Sequence, residues 1–156
     1  MSSILVLIIV VAIIAALVPL LKAKSGKTGT FRARKFLLTK TEMSFYNALL
    51  LYLPKDRHVM AKVGLKEIIE TISSDKQQRS GDWGRIKSKH IDFVLIDSST
   101  SQIISCIELD DSSHNTEAAK RGDGIKNDSL KSAGVRLIRI RASASYSKEQ
   151  LIDVFK

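Results

Sequence analysis

The chain has 156 residues, 44% of them apolar, with 25 Lys and Arg against 16 Asp and Glu and a formal charge of +9. That length admits one domain of ordinary size with a short appendage. The single cysteine, Cys106, excludes an intramolecular disulfide framework and a Cys-based zinc site. The charge is concentrated. Residues 1–21 carry none, and 22–40 carry seven basic side chains and no acid, which leaves 18 basic against 16 acidic residues over 41–156. A strongly basic globular domain is therefore excluded.

The run 4–21, ILVLIIVVAIIAALVPLL, holds nothing polar. As a helix it spans roughly 27 Å, close to the hydrocarbon thickness of a bilayer. A core helix of a small domain keeps a polar face, and this segment has none. A cleaved signal peptide begins with a positive n-region, whereas Ser2 and Ser3 precede this run and lysines follow it. We expect one transmembrane helix over 1–21 and a basic juxtamembrane linker over 22–38. Lysines and arginines C-terminal to the span place the N-terminus outside and the main domain in the cytoplasm, at the inner (cytoplasmic) membrane. The tract 22–40 sets that topology and suits anionic lipid head groups. Nucleic-acid phosphates are its other candidate partner.

In the remaining domain, 39–156, Thr39 and Glu42 form a capping box that opens a helix to about Leu53. Phe45, Tyr46, Leu49, Leu50 and Leu53 give it an inward face, and Pro54 stops it. A strand is expected over 58–63 and a short helix or turn over 65–72. The polar stretch 73–82 reads as a mobile loop. Strands over 91–97 and 102–109 flank the turn 98–101 as a hairpin. A loop over 110–115 precedes a helix over 116–133 that ends at Gly134. A further strand over 135–140 follows, and Ser147 with Gln150 caps a last helix. The strand–helix–strand step makes the last strand parallel to an earlier one. The fold class is α/β, a mixed sheet with helices on both faces.

The hairpin carries the chemistry. Asp92 and Glu108 interrupt otherwise apolar strands, and Asp110, Asp111 and His114 follow. Glu108 and Asp110 are two apart and share a face on an extended chain. Folding about 98–101 brings position 92 opposite 107 or 108. A 92–108 pairing puts both carboxylates on one face, and a slip by one residue separates them. Close carboxylates are stable together when a cation neutralises them or a proton is shared. Hard oxygen ligands suit Mg²⁺, which also retains waters and substrate phosphates, and such a metal can activate water against a phosphodiester. His114 is a ligand or proton shuttle on this reading, or a helix cap. Asp110 and Asp111 are equally explained as turn residues flanking a helix.

The residues SKHIDFVLID…CIELDDSSH and KRGDGIKND…AGVRLIRI, with LTKTEMSFYNAL before them, resemble the domain-of-unknown-function family 2726 over about 36–155. That family is related to the restriction-endonuclease-like (PD-(D/E)xK) nuclease superfamily and is similar to the very short patch repair endonucleases. The resemblance implies a restriction-endonuclease-like domain in which Asp92 and Glu108 bind Mg²⁺ or Mn²⁺. It gives Glu42 an assisting place in the first helix, although capping explains that residue more simply. The superfamily motif reads E-x-K on the third strand, whereas this chain has Glu108-Leu109-Asp110. Asp110 as a further metal ligand, His114 in place of the lysine, or Lys126 reaching back from the next helix would compensate. Lys89 and His90 are weaker candidates. Asp123 and Lys126 are three apart and pair with each other on the plainer reading.

Trp83, Arg85, Lys87, Lys89 and His90 form a basic, partly aromatic approach to the first hairpin strand. They suit phosphates and base stacking, or else an ordinary solvated loop. Arg139 interrupts an apolar strand and is positioned for the acidic cluster or a phosphate. Cys106 reads as a small core residue. The sequence points to a membrane-anchored, Mg²⁺-dependent nuclease acting on DNA. Its rival is a catalytically inactive nucleic-acid- or protein-binding module on the same fold, which the missing lysine favours. A membrane scaffold with a structural acidic cluster is the third reading.

Overall fold

The computed structural model describes residues 29–110 and 117–155, together with positions 3, 6–9, 11–13 and 15. The chain divides into two compact units, Met1–Lys35 and Phe36–Lys156. In the first, the described positions between 3 and 15 are helical, and Val6, Leu7, Ile8, Ile9, Val11 and Ile13 are each more than half exposed. Among the described residues no helix is long and apolar enough to cross a membrane. More than half of the apolar run 4–21 lies outside those residues.

The second unit opens with α1, Lys40–Tyr52. The expected capping box is present: the Glu42 amide donates to Thr39 Oγ1 (3.2 Å), and the Thr39 amide donates to Glu42 Oε2 (2.8 Å). Phe45 and Leu49 are fully buried. Leu50, expected inward, is 47% exposed. Tyr52 and Ala48 pack beside the core in its place, so the buried stripe is narrower than the apolar run suggests.

Strands β1 (Arg57–Gly64), β2 (His90–Asp97), β3 (Ile103–Asp110) and β4 (Leu137–Arg141) form one sheet in the order β1-β2-β3-β4. The first two pairings are antiparallel and β3–β4 is parallel. This is the mixed sheet the element order implied. A 3-10 turn, Leu65–Glu67, follows β1 and buries Leu65. Between it and β2 stands α2, Lys76–Ile86. The stretch expected to be a mobile loop is therefore largely helical. Asp75 caps it, its Oδ1 accepting from the Gln78 amide at 2.6 Å. Ile86 is its only fully sequestered apolar side chain. A helix with one apolar anchor and a good cap carries little periodic signal.

Helix α3, Glu117–Ser132, leads to β4. It ends in a Schellman motif: the Val135 amide donates to the Leu130 carbonyl (2.9 Å) and the Gly134 amide to that of Lys131 (3.1 Å). Gly134 has φ +70°, which glycine adopts without strain. The last helix, α4, is Lys148–Leu151, with the expected Ser147–Gln150 capping box.

The sheet is covered on both faces. Phe45 and Leu49 of α1 pack with Phe93, Ile107, Tyr146, Leu151 and Val154 on one side. Phe45 meets Phe93 and Tyr146 at centroid distances of 5.4 and 4.9 Å. On the other, Leu65, Ile86 and Leu130 pack with Val94 and Cys106. Cys106 has no exposure, and burial with the nearby Glu108 charge pushes its thiol up to about 12. It is an inert core residue, as expected.

Candidate functional site: a carboxylate and lysine cluster at the strand ends

The hairpin turn is held by Asp97, whose Oδ1 accepts from both the amides and the hydroxyls of Ser99 and Thr100 at 2.7–2.9 Å. These bonds, that from the Ser99 hydroxyl foremost, hold its carboxyl well below the usual range. Beside the turn Ile96 pairs with Ile103, and continuing that register would set position 92 opposite 107. The register shifts between Leu95 and Ile96, where Ile104 of β3 is the additional residue. Beyond it Phe93 pairs with Ile107 and Val94 with Cys106, a register that, continued by one residue, sets 92 opposite 108. This β-bulge decides the question the turn left open. The Leu109 amide donates to Asp92 Oδ2, and the Asp92 charge lies close enough to raise the Glu108 carboxyl, so the two carboxylates are neighbours at these strand ends.

Each carboxylate has a lysine. Lys126 of α3 bonds Glu108 Oε2, and it also reaches Asp123 at 3.4 Å. Both expected contacts of Lys126 are thus made. Glu108 is only 5% exposed, and among the described residues its Oε1 has no hydrogen-bond partner. Burial pushes its carboxyl above the ordinary range, and Lys126 opposes that rise without cancelling it. Asp92 accepts from Lys62 Nζ at 2.9 Å through Oδ1 and from the Leu109 amide at 3.1 Å through Oδ2.

Lys62 was not among the residues the sequence singled out. It also bonds Glu42 Oε1. Glu42 thus caps α1 with one oxygen, as expected, and accepts from Lys62 with the other. Lys62 has φ +56° within β1, where Ala61↔Phe93 and Val63↔Ile91 pair on either side of it. A non-glycine residue in the left-handed region of a strand is strained, and such strain gathers where a side chain must be aimed. Burial alone would lower the Lys62 pKa, but the hydrogen bonds it donates to Glu42 and Asp92, with their charges, outweigh that and raise it above its ordinary value. Burial and the Lys62 charge hold His90 below its ordinary value.

Asp110 is the last residue of β3, not the start of a loop. It is half exposed and paired with Arg139, so it does not join Asp92 and Glu108. Arg139 also donates to Asn127 Oδ1 (3.0 Å) and approaches Asp123 (3.8 Å), which is the acidic contact expected of it. His114 and Asp111 lie outside the described residues. Among the described residues no group of three or more His, Cys, Asp or Glu side chains is placed to hold a metal ion. A cavity of about 810 Å³ lies elsewhere, between residues 68–73, α2 and α3, and contains no member of this cluster.

The cluster sits where β3 and β4 end, the position at which open α/β sheets bind ligands. Among the described residues Lys62 joins Glu42 to Asp92, and Lys126 joins Glu108 to Asp123, with Arg139 and Asp110 at the margin. The class defined here is an α/β domain with a lysine-braced carboxylate pair on adjacent strands. The chain belongs to the family described as protein of unknown function (DUF2726), whose model matches residues 34–156. No curated protein and no solved structure matches it.

Proposed function

We propose that this domain is a nuclease of the restriction-endonuclease-like kind, acting on DNA phosphodiesters with Mg²⁺ or Mn²⁺. The observation that carries the reading is the buried Glu108 Oε1, unpartnered among the described residues, beside an Asp92 that bonds the Leu109 amide. A buried anionic oxygen without a donor is costly unless something positive completes it. Two carboxylate oxygens are a donor set Mg²⁺ accepts, so Asp92 and Glu108 would hold the ion. The ion, when bound, supplies an activated water and charge neutralisation at phosphorus.

The chain's own residues divide the remaining work. Lys126, beside Glu108, takes the place of the lysine missing from E-x-D and offers its ammonium to charge developing on the phosphoryl oxygens. Lys62, anchored by Glu42, fixes the Asp92 carboxylate. Arg139 holds Asp110 away from the pair and orients α3 through Asn127 and Asp123. The apolar segment 4–21 would anchor the domain at the membrane, with the basic tract against anionic lipid.

The test uses the purified full chain in detergent micelles with DNA and Mg²⁺ or Mn²⁺. Cleavage that is lost in Asp92→Asn/Glu108→Gln supports the reading. Failure of the wild-type chain to bind either ion by calorimetry removes both site and mechanism. One observation favours a second reading: each carboxylate already has a lysine partner. On that reading the domain binds nucleic acid or protein without cutting, and DNA binding without cleavage, unaffected by the double substitution, is its signature.

A further inference from the structure

Helix α2 has its faces arranged unusually. Asp82 and Ile86, with the exposed Gln78 and Arg85, line the cavity beside α3. The outward stripe, at spacings of three and four, is Lys76, Arg79, Ser80, Trp83 and Lys87, all exposed. Trp83 is the chain's single tryptophan and is 45% exposed. It has a cation one turn before it and another one turn after. The segment 76–89 carries five basic residues against one acid, Asp82. It runs through Lys89 and His90 directly into Asp92, and the Lys89 amine lies against α3 at Gly122.

We propose that this stripe is a stacking platform for an unpaired nucleic-acid strand, with Trp83 under a base and Arg79 and Lys87 on the flanking phosphates. Charge complementarity and the single aromatic select this occupant. An anionic membrane surface would require a broad apolar face, and here one ring stands alone among cations. Every base offers a π-face, so the platform tolerates any sequence, while the spaced cations track the backbone. The inference rests on the nucleic-acid reading above, and it adds that the strand delivered to Asp92 and Glu108 is single.

The uniqueness of Trp83 makes the test direct, because all tryptophan emission reports this position. The full chain in micelles is titrated with an oligothymidylate of about twelve nucleotides, within the usual site size for such platforms. Saturable quenching is expected, and the fully paired duplex should produce none. By anisotropy of a labelled oligonucleotide, Trp83→Ala should weaken binding about tenfold and Trp83→Phe by less than about threefold. Arg79→Gln/Lys87→Gln should flatten the log–log salt dependence by roughly 1.4. Oligonucleotide binding with unchanged Trp83 emission would overturn the proposal. So would a blue shift without DNA when the chain is moved from phosphatidylcholine to phosphatidylserine vesicles. Asp92→Asn should leave the quench intact, so a failed nuclease reading and a failed platform give different results.

Discussion

Lys126→Met isolates the pairing that holds the buried carboxylate. Glu108 is 5% exposed, its Oε2 is bonded to Lys126, and among the described residues its Oε1 has no partner. Removing the ammonium leaves a buried carboxylate with neither oxygen paired. Breaking one side of a buried ion pair costs about 3–5 kcal/mol, and for a domain near this size that lowers Tm by roughly 10–20 °C. The pH dependence gives a second signature. The folded-state pKa of Glu108 already lies above its ordinary 4.5. Its favourable contribution is therefore complete below the unfolded value and is lost as pH rises through the folded one. Lys126→Met removes the cation that restrains this rise. The deficit relative to wild type should be largest at pH 7 and shrink as pH falls toward 4. Thermal unfolding followed by far-UV circular dichroism at both pH values reads it. In Lys126→Met/Glu108→Gln most of the loss at pH 7 should return, because no charge remains buried. A Lys126→Met deficit under about 1 kcal/mol at pH 7, or one equal at both pH values, would refute the reasoning.

Lys62→Gly should be more stable than Lys62→Ala by about 1 kcal/mol in urea midpoints, because both lose the ion pairs but only glycine relieves the left-handed backbone; equal midpoints would show that φ +56° carries no strain. Thr39→Ala should cost about 1 kcal/mol through loss of the α1 cap, again by denaturant titration. Ser105, fully buried with an unpartnered hydroxyl, should tolerate alanine with no loss or a gain of up to about 1 kcal/mol. A clear destabilisation by Ser105→Ala would mean the hydroxyl is satisfied in solution.

The parts of the fold written in local chemistry were legible from the residues. Thr39 with Glu42, the hairpin about 98–101, the stop at Gly134 and the parallel β4 each follow from a capping, turn or crossover rule that acts over a few residues. Helix α2 was hidden because its outward stripe is cationic and its inward face nearly lacks apolar side chains; Asp75 was the available signal. The pairing of Asp92 with Glu108 depends on Ile104, an extra residue that no composition rule marks. Lys62 was missed for a related reason. A strand reading assigns alternating faces, and a left-handed residue within the strand breaks that alternation. The β1–β2 register, had it been known, would have set 62 opposite 92. Asp110 was expected beside the pair, but the parallel neighbour β4 supplies Arg139, and a contact across that crossover is invisible to local spacing.

The left-handed turn at Lys62 also bears on what the domain avoids. β1 is a border strand, and its outer rim would otherwise offer amide and carbonyl groups in an even row to any passing chain. Reversing φ at Lys62 breaks that row near its end, two residues beyond the half-exposed Met60. The backbone distortion that aims an ammonium at the acidic pair therefore also discourages sheet extension between molecules.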